Sequence, residues 1–225
     1  MTTSIVDVFT EALLPHVEPG RAVAQQAYMK TTQPFLGVRA PQVRKVTKEL
    51  AIDLGLNTAE ARLAAATELF SNATHREHWY AAGELCSHRV VKGRLEFLPL
   101  YERMILEGAW WDIVDGCSRR FGELLLANPE TIEPLLRAWA TDEFMWKRRM
   151  SMIAQLHAGA NTNTELLNDV MEANLGDPEF FIRKALGWSL RQYGKTNPQW
   201  VLEWVHQNKE RMSTLSYREA IKRLL

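Results

Sequence analysis

Cysteine is scarce in this chain: 225 residues contain only Cys86 and Cys117. The two lie far apart and form no CxxC pair, so free thiols in a reducing compartment are expected. Long apolar runs are missing as well. No segment approaches eighteen apolar residues in a row, which argues against a membrane span. The opening MTTSIVDVFTEALLPHVEPG lacks a basic start followed by an apolar stretch and does not read as a signal peptide. Low-complexity tracts are absent, and so, nearly, are alternating β-branched runs, which leaves little to build a sheet from. Net charge is zero. That sum disfavours a nucleic-acid partner at first sight, but the distribution matters more. Residues 1–142 carry 15 Lys and Arg against 18 Asp and Glu, whereas residues 143–225 carry 12 against 9. A basic face on the C-terminal half is therefore possible.

With 46% hydrophobic and 24% charged residues, the chain reads as an ordered globular protein, a single domain over residues 1–225. Its strong period is helical. Val43, Val46 and Leu50, and likewise Ile132, Leu135, Leu136 and Trp139, follow the spacing of one helix face. Pro41 suits a first helical turn. Asn128-Pro129, Asp177-Pro178 and Asn197-Pro198 set a capping-type residue before a proline, a helix-start signal. About ten to thirteen helices and essentially no sheet are predicted. They also recur. Aligning Trp79, Trp111, Trp146, Ile182 and Tyr217 gives gaps of 32, 35, 36 and 35 residues. A period in the mid-thirties with two helices per unit predicts an all-α, HEAT-like helical-repeat solenoid, its second helices lining a concave face. An irregular helical bundle is the plainer alternative.

The stretch Trp110-Trp111-Asp112-Ile113-Val114-Asp115 carries the most chemical information. On a helix Trp111 and Asp115 share a face, and an indole beside a carboxylate attracts a cation twice over. Packing alone also explains many paired tryptophans. Trp110 is expected to pack between helices, and Asp112 to cap a helix or support its neighbours. Trp79, Trp139, Trp200 and Trp204 read as core. Arg149 lies 38 residues after Trp111, and Trp188 lies 39 after Arg149, so repetition can bring Trp111, Asp115, Arg149 and Trp188 to one surface. His75-x-x-His78 with Cys86 and His88 is only a loose metal pattern, and packed or solvated histidines are expected there. Gly187 inside a predicted helix suggests close helix packing.

Taken in order, several segments resemble the AlkD-like DNA glycosylases, HEAT-like proteins that excise alkylated purines. They are Tyr28-Met29-Lys30, Phe35-Leu36-Gly37-Val38-Arg39-Ala40-Pro41, Trp110 to Asp115 and Trp146-Lys147-Arg148-Arg149. Phe180 to Trp188, Leu190 to Pro198 and Leu215 to Lys222 complete the set, across nearly the whole chain. The resemblance implies that Asp115 is the catalytic aspartate, that Trp111 and Trp188 are the aromatic pair at the lesion, and that Arg149 is the active-site arginine. It implies DNA contacts at Tyr28, Arg191 and Lys195, and Arg218 and Lys222 are further candidates for phosphates. His157 stands where the resemblance leads one to expect lysine.

The implied activity is a monofunctional glycosylase acting on duplex DNA that contains 3-methyladenine or 7-methylguanine. It would work in base-excision repair as a monomer, with neither metal nor organic cofactor, in the cytoplasm beside the nucleoid. Asp115 would face the sugar, and Arg149 would take a flanking phosphate with a secondary hold on Asp115. Two other readings stay open: a silent relative that binds unusual DNA structures, and a protein-interaction solenoid.

Overall fold

Short helices with strong start signals build the molecule, as the punctuation predicts. The computed structural model describes residues 4–222 and 224, and among them are thirteen α-helices and no strand. Pro129 opens one helix and Pro198 another, the latter capped by Asn197, whose side chain accepts the Trp200 amide. Asp177-Pro178 acts one step earlier. Asp177 accepts the Glu179 amide at 2.8 Å, and the helix begins after it, at Phe180. No helix among the described residues is long and apolar enough to cross a membrane.

The chain divides into two compact units, residues 1–92 with 96–100 and residues 93–95 with 101–225. The first contains α1 (Ile5–Leu13), α2 (Pro19–Met29), α3 (Ala40–Asp53), α4 (Ala59–Ser71) and α5 (Arg76–Leu85). Helix α1 packs on α3, α4 and α5, and Phe9 and Leu13 are buried there. The segment Phe35 to Pro41 is held by a buried carboxylate. Glu77 on α5 accepts the amides of Leu36, Gly37 and Val38 at 3.0, 2.9 and 3.1 Å. Gly37 has a φ of +87°, and a Cβ there would stand 2.2 Å from the Glu18 carbonyl oxygen. Only glycine fits that turn. The loose histidine pattern resolves into capping: His78 Nδ1 accepts the amides of Thr74 and His75, while Nε2 meets the Thr10 hydroxyl at 3.0 Å. Trp79 is half-buried, stacks on Phe70 and donates to its carbonyl.

Helix α6 spans Leu98–Gly108. The second unit continues with α7 (Trp111–Ala127), α8 (Pro129–Trp139), α9 (Met145–Ile153) and α10 (Thr164–Glu172). It ends with α11 (Phe180–Tyr193), α12 (Pro198–Asn208) and α13 (Thr214–Ile221). Helices α7, α9, α11 and α13 stack in that order as a row, and α8, α10 and α12 pack against them. Trp139 and Trp204 are buried and Trp200 half-buried. Small residues let the row close up. A Cβ on Gly122 would stand 2.7 Å from the Ala154 carbonyl oxygen, and one on Gly187 would stand 2.7 Å from that of Ser216. Serines tie the same joints, Ser189 donating to the Met152 carbonyl at 2.9 Å and Ser216 to that of Arg183 at 3.0 Å.

Gly122→Ala forces the added methyl against a backbone oxygen, so stability should fall by about 1–3 kcal/mol, read from urea unfolding. No loss would show that α7 and α9 can move apart freely. The His78 imidazole is pushed from its usual 6.5 down to about 4, mainly by burial and then by His75. The unfolded chain binds that proton below 6.5, whereas the folded one resists until about 4. Stability is therefore complete above that upper value and drains away as acidity rises toward the lower one. Urea midpoints measured against pH should show this limb, and His78→Asn should flatten it; an unchanged slope would rule His78 out as its source.

Candidate active site on the row of second helices

The turn into α7 aims the site. Ala109 has a φ of +33°, an uncommon conformation for a residue with a side chain, and Trp110 after it is extended. Trp110 turns into an aromatic cluster, 5.9 Å from the Trp146 ring and 5.3 Å from Phe181, with Trp146 and Phe181 themselves 5.0 Å apart. As expected, it packs between helices. Trp111, next in line, opens α7 and is half-buried. One helical turn later on the same face comes Asp115.

Asp115 and Arg149 each occupy the fifth place of their helix, α7 and α9. Arg149 Nε donates to Asp115 Oδ1 and Nη2 to Oδ2, both at 2.8 Å. This two-pronged fork fixes the orientation of both groups as well as their separation. Arg149 Nη1 donates to the Phe181 carbonyl in the first turn of α11, and the guanidinium lies 5.8 Å from the Phe181 ring centroid. One side chain thus joins three helices. Burial is unequal: the Arg149 side chain is 5% exposed and that of Asp115 19%. The cation sits inside and the carboxylate faces outward. The secondary hold on Asp115 expected of Arg149 is present in this geometry, alongside a hydrogen bond to the Phe181 carbonyl. The fork leaves further lone pairs of the carboxylate for another partner.

Trp188 is half-buried on α11, eight residues after Phe180. Its place is one helical turn beyond the level of Asp115 and Arg149, which Lys184 occupies as the fifth residue of α11. Lys184 Nζ lies 3.0 Å from Glu219 of α13, which also accepts a hydrogen bond from Arg191 Nη1. Burial pushes the Glu219 carboxyl up, but Lys184's hydrogen bond and the charges of Arg191, Lys184 and Lys222 outweigh it and hold the group below its usual range. Lys195, Arg218 and Lys222 are exposed. Tyr28, in the first unit on α2, is 70% exposed. His157 is exposed overall, though the protein strips part of the water from its ring; that partial desolvation, then the charge of Arg119, lowers its pKa. Asp112 is half-buried in the first turn of α7, where a negative charge suits the helix dipole. No group of three or more His, Cys, Asp and Glu side chains among the described residues is placed to hold a metal ion. Sequence reasoning missed Lys184, Glu219 and the Phe181 carbonyl; the 35-residue steps from Arg149 to Lys184 and from Lys184 to Glu219 are a signal that could have found the first two.

Residues 9–224 match the model of a family described as DNA alkylation repair enzyme. A solved structure described as a predicted DNA alkylation repair enzyme from Enterococcus faecalis is 33% identical. The match covers 93% of this chain and 97% of that one, with a TM-score of 0.81. An alkylpurine DNA glycosylase, AlkC, from Pseudomonas fluorescens, bound to DNA containing an abasic site analogue, is a distant likeness. It is 14% identical with a TM-score of 0.48, over 100% of this chain and 65% of that one. No curated protein matches this chain significantly.

Removing one member of the bridge should cost more than removing both. Arg149→Met strands a half-buried carboxylate, and a loss of about 2–4 kcal/mol is expected, scaled down from a fully buried pair because Asp115 stays partly wet. Adding Asp115→Asn should return part of that loss in urea unfolding; strictly additive losses would mean the two groups do not depend on each other.

Proposed function

Because the chain belongs to the DNA alkylation repair enzyme family, we propose that it is a monofunctional DNA glycosylase of the AlkD-like kind, acting in base-excision repair. Its substrates are duplex DNA carrying cationic N-alkylated purines, such as 3-methyladenine and 7-methylguanine. The observation that supports this reading best is the Asp115 carboxylate, anchored from behind by buried Arg149 and turned outward one helical turn from Trp111.

The chemistry asks for such a group. An ordinary glycosidic bond needs an acid to protonate the departing atom, which is why sugar hydrolases usually carry two carboxyl groups. An N-alkylated purine already bears a positive charge. When its bond to C1′ opens, the bonding pair moves onto the base, which leaves neutral. Positive charge then builds on the deoxyribose. Asp115 stabilises that oxocarbenium ion and orients the water whose oxygen bonds to C1′, its proton passing to solvent. The products are a free base and an abasic site. Preorganised electrostatic help of this kind is often worth about 3–4 kcal/mol, a hundred- to a thousandfold in rate. Trp111 and Trp188 add about 0.5–2 kcal/mol each toward a cationic sugar or base. The charge already on the lesion stands in for the acid, so this mechanism asks for no cofactor.

Arg149 acts here as the anchor of Asp115, which removes the difficulty of a cation beside a developing cation. Tyr28, Arg191, Lys195, Arg218 and Lys222 are assigned to the duplex, and the protein is read as a cytoplasmic monomer. Asp115→Asn should reduce release of 3-methyladenine and 7-methylguanine from methylated duplex by at least about a hundredfold, yet keep most of the affinity in fluorescence anisotropy. Trp111→Ala should cost less. Equal loss of binding and base release in folded Asp115→Asn would move that residue from catalysis to scaffold.

A further inference from the structure

The row of second helices contains a second charged joint, built with the opposite polarity to the first. At the α7–α9 joint the arginine is the buried member and the carboxylate faces outward. At the α11–α13 joint the carboxylate is the more buried member: Glu219 is 14% exposed, against 22% for Arg191 and 37% for Lys184. Here two cations face outward around a single inner anion. Lys222 adds a third positive charge to the same group, and Arg218, adjacent on α13, is exposed.

We propose that Arg191 and Lys184 form a two-cation seat for one DNA backbone phosphate, and that Glu219 fills this seat in the free protein as an internal stand-in for it. The proposal rests on the DNA-binding reading above and adds to it a residue that limits affinity. A carboxylate and a phosphodiester carry the same single charge and each offers two oxygens to N–H donors, so they compete for the same partners. The root of the Glu219 side chain is close-packed against α11. A Cβ built on Gly187 would lie 2.5 Å from the Glu219 Cβ, so the stem of Glu219 lies directly against the backbone of α11. An incoming phosphate must take donors from the carboxylate while that charge stays nearby. Binding at this point exchanges one anion for another, so it releases fewer counterions than binding to bare cations would. The consequence is a weaker grip on undamaged DNA, which lets the protein leave ordinary sequence.

The test compares wild type with Glu219→Gln, which keeps the shape and removes the charge. Each is titrated by anisotropy onto an unmodified duplex across a salt series, with folding checked by thermal melts. Glu219→Gln should bind about three- to tenfold tighter at low salt, and its plot of log affinity against log salt should steepen by about 0.9. Adding Arg191→Gln should erase most of that gain. Glu219→Ala, which also removes bulk, should move in the same direction. A folded Glu219→Gln that binds equally or more weakly overturns the proposal, since Glu219 would then position the two cations. Failure of both Glu219 variants to fold overturns it too, by assigning the residue to the scaffold. If wild type neither binds duplex in a salt-dependent way nor releases base, the functional reading itself falls. If wild type does both and Glu219→Gln gains nothing, only the present inference is lost.

Discussion

The fork between Arg149 and Asp115 is the constraint around which the second unit is arranged. A guanidinium can reach a carboxylate on one neighbouring helix and a carbonyl on another only if all three helices lie close and in register. Gly122 against Ala154 brings α7 toward α9, and Ser189 on the Met152 carbonyl holds α9 to α11. The Trp110, Trp146 and Phe181 rings fill the space beside the starts of the same helices. These contacts are apolar or backbone-directed and indifferent to any ligand. Their product is a charged group held in one orientation at the surface.

Register explains how zero net charge coexists with a polarised row. The fifth residues of α7, α9, α11 and α13 are Asp115, Arg149, Lys184 and Arg218. The column runs from negative to positive along the stack. Burial then selects which charges are displayed, hiding Arg149 behind Asp115 and Glu219 behind Arg191 and Lys184. A count over the whole chain misses this because the hidden members carry the opposite sign.

The helices and their repetition could be read from the sequence, because caps, prolines and a 3.6-residue apolar period are local signals. Register could not be read as well. The aligned residues Trp79, Trp111, Trp146, Ile182 and Tyr217 prove to be the fourth, first, second, third and fourth of their helices. Aromatics anchor each repeat wherever a gap between helices needs filling, so they drift while the backbone period holds at 35, 34, 35 and 34 residues between helix starts. That drift hid the level pairing of Asp115 with Arg149 and put Trp188 on their level instead of one turn beyond. Glu77 was invisible for another reason: its three amide partners lie 39 to 41 residues away. The ordered segment Phe35 to Pro41, which helped carry the family resemblance, thus owes its glycine to a structural turn.

On the proposed function, a carboxylate on a face that must also receive phosphates poses an electrostatic problem, and the bridge supplies an answer. A bare charge acts at long range, falling off roughly with distance until salt screens it over about 8–10 Å. It would repel the polyanion from every approach. Paired with a guanidinium directly behind it, Asp115 becomes the outer end of a dipole, whose field decays faster with distance. Phosphates several ångströms away then meet almost no net charge, while a cation brought against the carboxylate still meets its negative oxygens first. Swapping the order of burial would reverse this, presenting a cation to the sugar that becomes cationic in the proposed reaction. On the proposed function, the depth of Arg149, rather than its charge alone, is what would make one surface compatible with both a polyanionic backbone and a positively charged lesion.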